Sequence, residues 1–436
     1  MSSSVAIPVR DGKWEGDAGK TTEKESEKDD LQAAVVCFPI RMKVDHDVRR
    51  VVHGAKVGIA LALVSLLYSV YPLYQGFKQN GVWAVMTVVV MYEFYAGATL
   101  SKGLNRIMGT ALGGGLGLLA GLFADFIGGV GKGFAVGIAI FFFGAVATYI
   151  RSVPRIKKRY DYGFMIFILS FSLVVVSGVQ TKTDYILKTA IDRLGTVAVG
   201  LGVCFFTSLC IFPIWAGDEL HLSTAYKFEH LALSIEGLLD TYFQVAVDKE
   251  NKADGSFKLC RTIMHSKAKD ETLANFARWE PWHGRFGLRY PWAKYIQIGD
   301  LLRELAATIV SLEVCIQSPR QPAADVRQAI KGSCESVASS LTGTLRDLGE
   351  SLMNMRKCEA EAFILPKLKR TRAGLSNFMS PSDLFPSDPM HAHNLAEDLA
   401  GSTFMFLLSE MVEKLEVLAK EVDELGELAE FKTDDV

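Results

Sequence analysis

The run Ile107-Met108-Gly109-Thr110-Ala111-Leu112-Gly113-Gly114-Gly115-Leu116-Gly117-Leu118-Leu119-Ala120-Gly121-Leu122-Phe123-Ala124 carries no charged side chain. A helix of about 20 apolar residues crosses a hydrocarbon core roughly 30 Å thick, so an uncharged run of this length is a credible span. Comparable runs occupy 57–77, 133–150, 162–181 and 194–217, and 79–100 is interrupted only by Glu93. Six such stretches are crowded between Val51 and Gly217, and none follows. In lipid only helices and closed barrels satisfy their own backbone, and barrel strands alternate polar with apolar residues, which these runs do not. The sequence therefore predicts an all-α protein: a six-helix transmembrane domain over 49–217 and a cytosolic helical domain over 218–436. Residues 1–48 read as a disordered cytosolic tail, polar from Asp11 to Asp30 and without the basic-then-apolar pattern of a cleaved leader.

Composition fits this hybrid. Of 436 residues, 49% are hydrophobic and 22% charged, with a mean hydropathy of +0.20. A formal net charge of −2 argues against a nucleic-acid partner. Seven scattered cysteines form no CxxC pair and no metal spacing, and are expected to be reduced. Basic residues gather before the first run (Arg41, Lys43, Arg49, Arg50), between the second and third (Lys102, Arg106), and between the fourth and fifth (Arg151, Arg155, Lys157, Lys158, Arg159). By the positive-inside rule both termini are cytosolic; the rule fixes sidedness and does not choose between plasma and vacuolar membrane.

Within the third run Gly109, Gly113, Gly117 and Gly121 recur every fourth residue. Small residues at that spacing share one helix face and admit a neighbouring backbone, and such a thin helix can also border a water-filled path. The basic residues beside the runs are more telling, because an isolated charge at membrane depth costs about 2.5–3.5 kcal/mol or more unless it meets water or a partner. Lys102 and Arg106 stand one turn apart, Arg193 precedes the sixth run and Lys56 the first. They serve either as interfacial anchors or as the ring of cations that an anion pore requires, the planar guanidinium fork matching a carboxylate. Glu93 is expected to pair with one of these cations, as a structural ion pair or as a gate. The basic run 151–160 reads as a loop that attracts anionic headgroups or funnels anions to a pore mouth.

Beyond Gly217, apolar residues at helical spacing over 218–248, 293–317 and 321–357 predict soluble helices. Pro281, Gly284, Gly287 and Pro291 break the pattern, leaving Trp279 to Trp292 as an aromatic connector, read as a staple between helices in preference to a ligand box. The stretch 376–392 reads as a flexible loop. Leu408, Met411, Leu415, Leu418, Val422 and Leu425 form a seam that either joins two subunits or packs inside one.

Several segments share a resemblance: Trp83 to Val90, Gly97 to Leu100 running into Lys102-Gly103-Leu104-Asn105-Arg106, Tyr160-Asp161-Tyr162-Gly163, Phe212 to Gly217 with Leu220-His221, and Trp279-Glu280-Pro281 with His283-Gly284. In this order and spacing, from about Val51 to Trp292, the chain resembles the plant aluminium-activated malate transporter family. The resemblance implies a passive channel for malate and other small anions, without a cofactor. It also implies a homodimer whose six-helix membrane halves sit in the bilayer above helical cytosolic domains. In that family the arginines corresponding to Arg106 and Arg193 line the conduction path. The acidic cluster that a hard trivalent cation would need is missing here: Gln75 to Asn80 holds no acid, and Asp184 stands beside Lys182 and Lys188. The expectation is a channel indifferent to aluminium, with no bound metal.

No HExxH, GxSxG, P-loop or strand-borne GxGxxG occurs, so no catalytic residue is assigned. Two further readings stay open. One is a proton-coupled exporter of organic or aromatic acids, which would need Glu93 as its proton carrier; the other is a membrane-anchored interaction protein.

Overall fold

The computed structural model describes residues 47–67, 69, 82–180, 183–243, 258–287, 290–318, 324–378 and 395–432. Of the expected tail 1–48 and the expected loop 376–392, residues 1–46 and 379–392 lie outside the described residues, as do Gln75 to Asn80, Lys182 and the side chains of Asp184 and Lys188; residues 376–378 are the end of a helix and not loop. The first half folds as α1 (Asp47–Leu67), α2 (Val82–Met91), α3 (Ala96–Ile127), α4 (Gly129–Ser152), α5 (Pro154–Gln180) and α6 (Thr183–Cys210). All but α2 contain a stretch long and apolar enough to cross a membrane. Their outward faces are oily: α4 alone exposes Val130, Phe134, Ile138, Phe141 and Tyr149, as a helix solvated by lipid does.

The run 79–100 divides. The chain leaves helix after Met91 and re-enters at Ala96, because Thr99 Oγ1 accepts the Glu93 N–H (3.1 Å) and Tyr95 is extended (φ −95°, ψ 142°). The freed Ala96 N–H donates to the Ile214 carbonyl (3.0 Å). Lys102 and Arg106, expected between helices, therefore lie on α3 itself. The basic run at 151–160 differs in the same way. Only Val153 separates α4 from α5, and Pro154 opens α5, where its missing N–H leaves no bond unmade.

Helix α3 packs chiefly on α5, and the glycines set how closely. A Cβ at Gly109 would stand 2.4 Å from the Gly163 carbonyl oxygen, at Gly113 2.6 Å from that of Phe167, and at Gly117 3.1 Å from that of Phe171. Gly121 is buried on the same helix, whereas Gly114 and Gly115 face open space. The turn into α4 uses Gly128 (φ 66°) and Gly129 (φ 54°), left-handed values that a side chain would strain.

The second half holds α7 (Ala216–Phe243), α8 (Lys267–Ala277), α9 (Trp292–Gln317), α10 (Ala324–Asn354), α11 (Leu365–Phe378) and α12 (Leu395–Leu428), with no strand among the described residues. Its core is continuous from Leu220 on α7 to Leu425 on α12. The seam residues Leu408, Met411, Leu415, Leu418, Val422 and Leu425 are all buried in that core, with α12 packed on α9 of the same chain. That face is thus spent within one subunit.

Candidate anion site

Three helices carry buried cations inside the membrane half. Arg106 on α3 is 8% exposed; its Nη1 donates to the Tyr162 hydroxyl of α5 (2.9 Å), and its Nε finds no acceptor among the described residues. Arg193 on α6 is 7% exposed. Its guanidinium lies 4.1 Å from the centroid of the Trp83 ring on α2, and its Nη1 is likewise without an acceptor among the described residues. The two guanidinium groups are close enough for Arg106 to act on Arg193 electrostatically. Lys56 on α1 is 2% exposed. Among the described residues, no carboxylate pairs with any of the three. A cation–π contact such as that with Trp83 is worth about 2 kcal/mol when desolvated, yet it supplies no counter-charge and leaves N–H donors free.

Lys102 stands apart from this group. It forms a short ion pair with Glu93 across the break between α2 and α3, and both side chains are partly exposed. The four basic residues selected from the sequence thus divide into three that are buried without a carboxylate and one that is neutralised.

Side chains from α5, α2 and α3 itself complete the geometry. Asn105, beside Arg106, donates from Nδ2 to the Arg159 carbonyl (3.1 Å) while its Oδ1 stays unpartnered among the described residues. Tyr162, Trp83 and Asn105 were not singled out for a role in the sequence, although each belongs to a segment that carries the family resemblance. The signal was an aromatic or amide residue at helical depth near an arginine, and only the fold supplies the nearness. Among the described residues no group of three His, Cys, Asp or Glu side chains could hold a metal ion.

Trp279, Glu280 and Pro281 lie where the two halves meet. Glu280 is buried; its Oε1 accepts the Ala216 N–H (2.6 Å) and its Oε2 the Gly217 N–H (3.0 Å), capping the start of α7 with a charge that complements the helix dipole. Burial pushes the Glu280 carboxyl up, opposed by those two N–H groups. Trp215 stacks on His283 (3.9 Å, 13°), and Arg159 at the start of α5 lies over the Trp279 ring (5.1 Å). Gly97, near the start of α3, leaves no room for a Cβ against the Phe276 carbonyl (2.3 Å). Arg49 on α1 donates to Glu219 on α7 (2.8 Å), a further tie across the junction.

A family profile described as Aluminium activated malate transporter matches residues 42–385. Aluminum-activated malate transporter 12 of Arabidopsis thaliana is 42% identical over 350 residues, 80% of this chain and 62% of the relative. Aluminum-activated malate transporter 14 of the same plant is 42% identical over 319 residues, 72% and 58% respectively. Aluminum-activated malate transporter 2, also of Arabidopsis thaliana, is 37% identical over 390 residues, 88% and 76%. The chain spans less than two thirds of the length of the first two of these relatives.

Proposed function

The chain belongs to the aluminium-activated malate transporter family, and on that premise we propose that it is a passive membrane channel for malate and other small anions. The observation that carries the reading is the burial of Arg106 and Arg193 with unused N–H donors and no carboxylate partner among the described residues. Holding cations at membrane depth is unfavourable by about 2.5–3.5 kcal/mol each. A permeating carboxylate would offset that by accepting charge-assisted hydrogen bonds from the two guanidinium forks. Lys56 would add positive potential to the same path. Glu93 would hold Lys102 at its edge and leave the buried cations uncompensated.

The further elements of the reading are a homodimer with both termini cytosolic, in the plasma or the vacuolar membrane, and conduction that does not depend on aluminium. With the α12 seam buried inside one subunit, a dimer would use another surface.

Whole-cell currents under exchanged anions test the proposal. The expected result is a reversal potential that follows the malate gradient, is unchanged by a proton gradient, persists in Glu93→Gln and survives removal of external aluminium. Currents that follow the proton gradient and vanish in Glu93→Gln would support the coupled exporter instead. No current from surface-expressed protein would leave the interaction protein.

A further inference from the structure

The foot of the membrane half carries cations and aromatic rings that neither the anion path nor the core uses. Arg159 joins two segments there: it begins α5 with exposed Lys157, and it lies over the Trp279 ring of the connector. The connector in turn exposes Arg285 and Trp282, the last at 75%, and Arg278 stands exposed immediately before it. Among the described residues none of Lys157, Arg159, Arg278 and Arg285 is held in an ion pair. Asp218, an exposed acid that Arg285 acts on electrostatically, makes no ion pair with it.

The level of this face relative to the bilayer follows from its contacts. His283, next to Trp282, stacks on Trp215, five residues after the end of α6 at Cys210. Between them Phe212 is 77% exposed. Tryptophan and tyrosine at the ends of spanning helices are enriched at headgroup depth, and each Lys or Arg near an anionic surface is worth about 1 kcal/mol.

We propose that the first turns of α5 and the connector around Trp282 form a docking surface for anionic lipid headgroups. Trp282 and Phe212 seat at headgroup level, and Lys157, Arg159, Arg278 and Arg285 supply the attraction. A lipid is favoured over a second copy of the chain because a copy would bring the same sign of charge to the contact. Since Arg159 also rests on Trp279, beside the carboxylate that caps α7, headgroup occupancy bears on the joint between the two halves. The proposal requires only that the helices above span the bilayer, and it stands or falls apart from anion conduction.

The test uses the full chain in phosphatidylcholine vesicles with and without phosphatidylserine, a spin-labelled lipid quenching at headgroup depth, and Trp282→Phe to isolate the emission of Trp282. The expected result is quenching of that emission that rises with phosphatidylserine. The phosphatidylserine concentration needed should increase about fivefold for each of Arg278→Gln and Arg285→Gln. Inorganic phosphate without the anionic lipid should leave the signal unchanged. A Trp282 signal that the quencher never reaches, as when a second copy covers it, would overturn the proposal. So would quenching indifferent to phosphatidylserine, or a response to phosphate alone.

Discussion

In the helical half, Asp270 accepts from Lys227 Nζ at 2.5 Å and Arg303 Nη1 at 2.8 Å, and Lys294 reaches Glu421 and Glu424 at 2.6 Å each. In the membrane half, Lys56, Arg106 and Arg193 are equally buried, and no carboxylate among the described residues answers them. Desolvation penalises both groups. Where charge serves only the fold, the chain supplies the opposite charge itself. Where it does not, the proposed reading makes the permeating solute the missing counter-charge, and on that reading the asymmetry separates an anion path from a structural ion network.

The sharpest way to probe the paired side is Asp270→Asn, which leaves Lys227 and Arg303 buried together. Breaking a buried pair costs about 3–5 kcal/mol, so thermal unfolding of the purified protein should show a large loss of stability. A loss below about 1 kcal/mol would mean that the network is not what balances those charges.

Acid should strain the same half through His221. Its Nδ1 shares a hydrogen bond with the Tyr295 hydroxyl (2.8 Å) in a buried setting, and burial, the largest cause, lowers its pKa from the ordinary 6.5 to about 4. A lowered histidine pKa favours the neutral native form, so its stabilisation is fully present above 6.5 and is lost as pH falls towards 4. The expected penalty is up to about 3 kcal/mol. Unfolding measured across that window should steepen in the wild type and flatten in His221→Gln.

A smaller loss is expected from Glu280→Gln, which removes the charge and turns an amide towards backbone N–H groups that need acceptors. About 1–3 kcal/mol is the usual consequence of one buried unmade bond, readable as a lower unfolding midpoint. On the unpaired side, Tyr162→Phe deletes a neutral acceptor from Arg106. It should change conductance within about fivefold, equivalent to roughly 1 kcal/mol, and leave stability nearly untouched.

The membrane side of this contrast was legible in the sequence, because uncharged runs announce membrane helices and a basic residue beside one is conspicuous. Arg106 and Arg193 were selected on charge alone, and the fold keeps both buried. The break at 92–95 was not legible: a hydropathy window does not register that the Thr99 hydroxyl takes the Glu93 N–H in place of a helical partner. Nor was the division of the basic residues, since the Lys102–Glu93 pair forms across that break. The bond from Arg106 to Tyr162 spans 56 residues and that from Ala216 to Glu280 spans 64, so both exist only through tertiary packing. The α12 seam was ambiguous for a related reason: periodicity marks a face to be buried without saying by which chain.

The most direct measurement is malate conductance per folded molecule in vesicles bearing the Arg106→Gln, Arg193→Gln double variant, with its unfolding midpoint recorded alongside. Losing charge-assisted hydrogen bonds worth about 1.5–3 kcal/mol each should reduce conductance at least about tenfold. Stability should hold or rise, because two uncompensated charges have been removed from the membrane half. Undiminished conductance, or a loss of conductance that merely tracks a loss of stability like that of Asp270→Asn, would contradict the account.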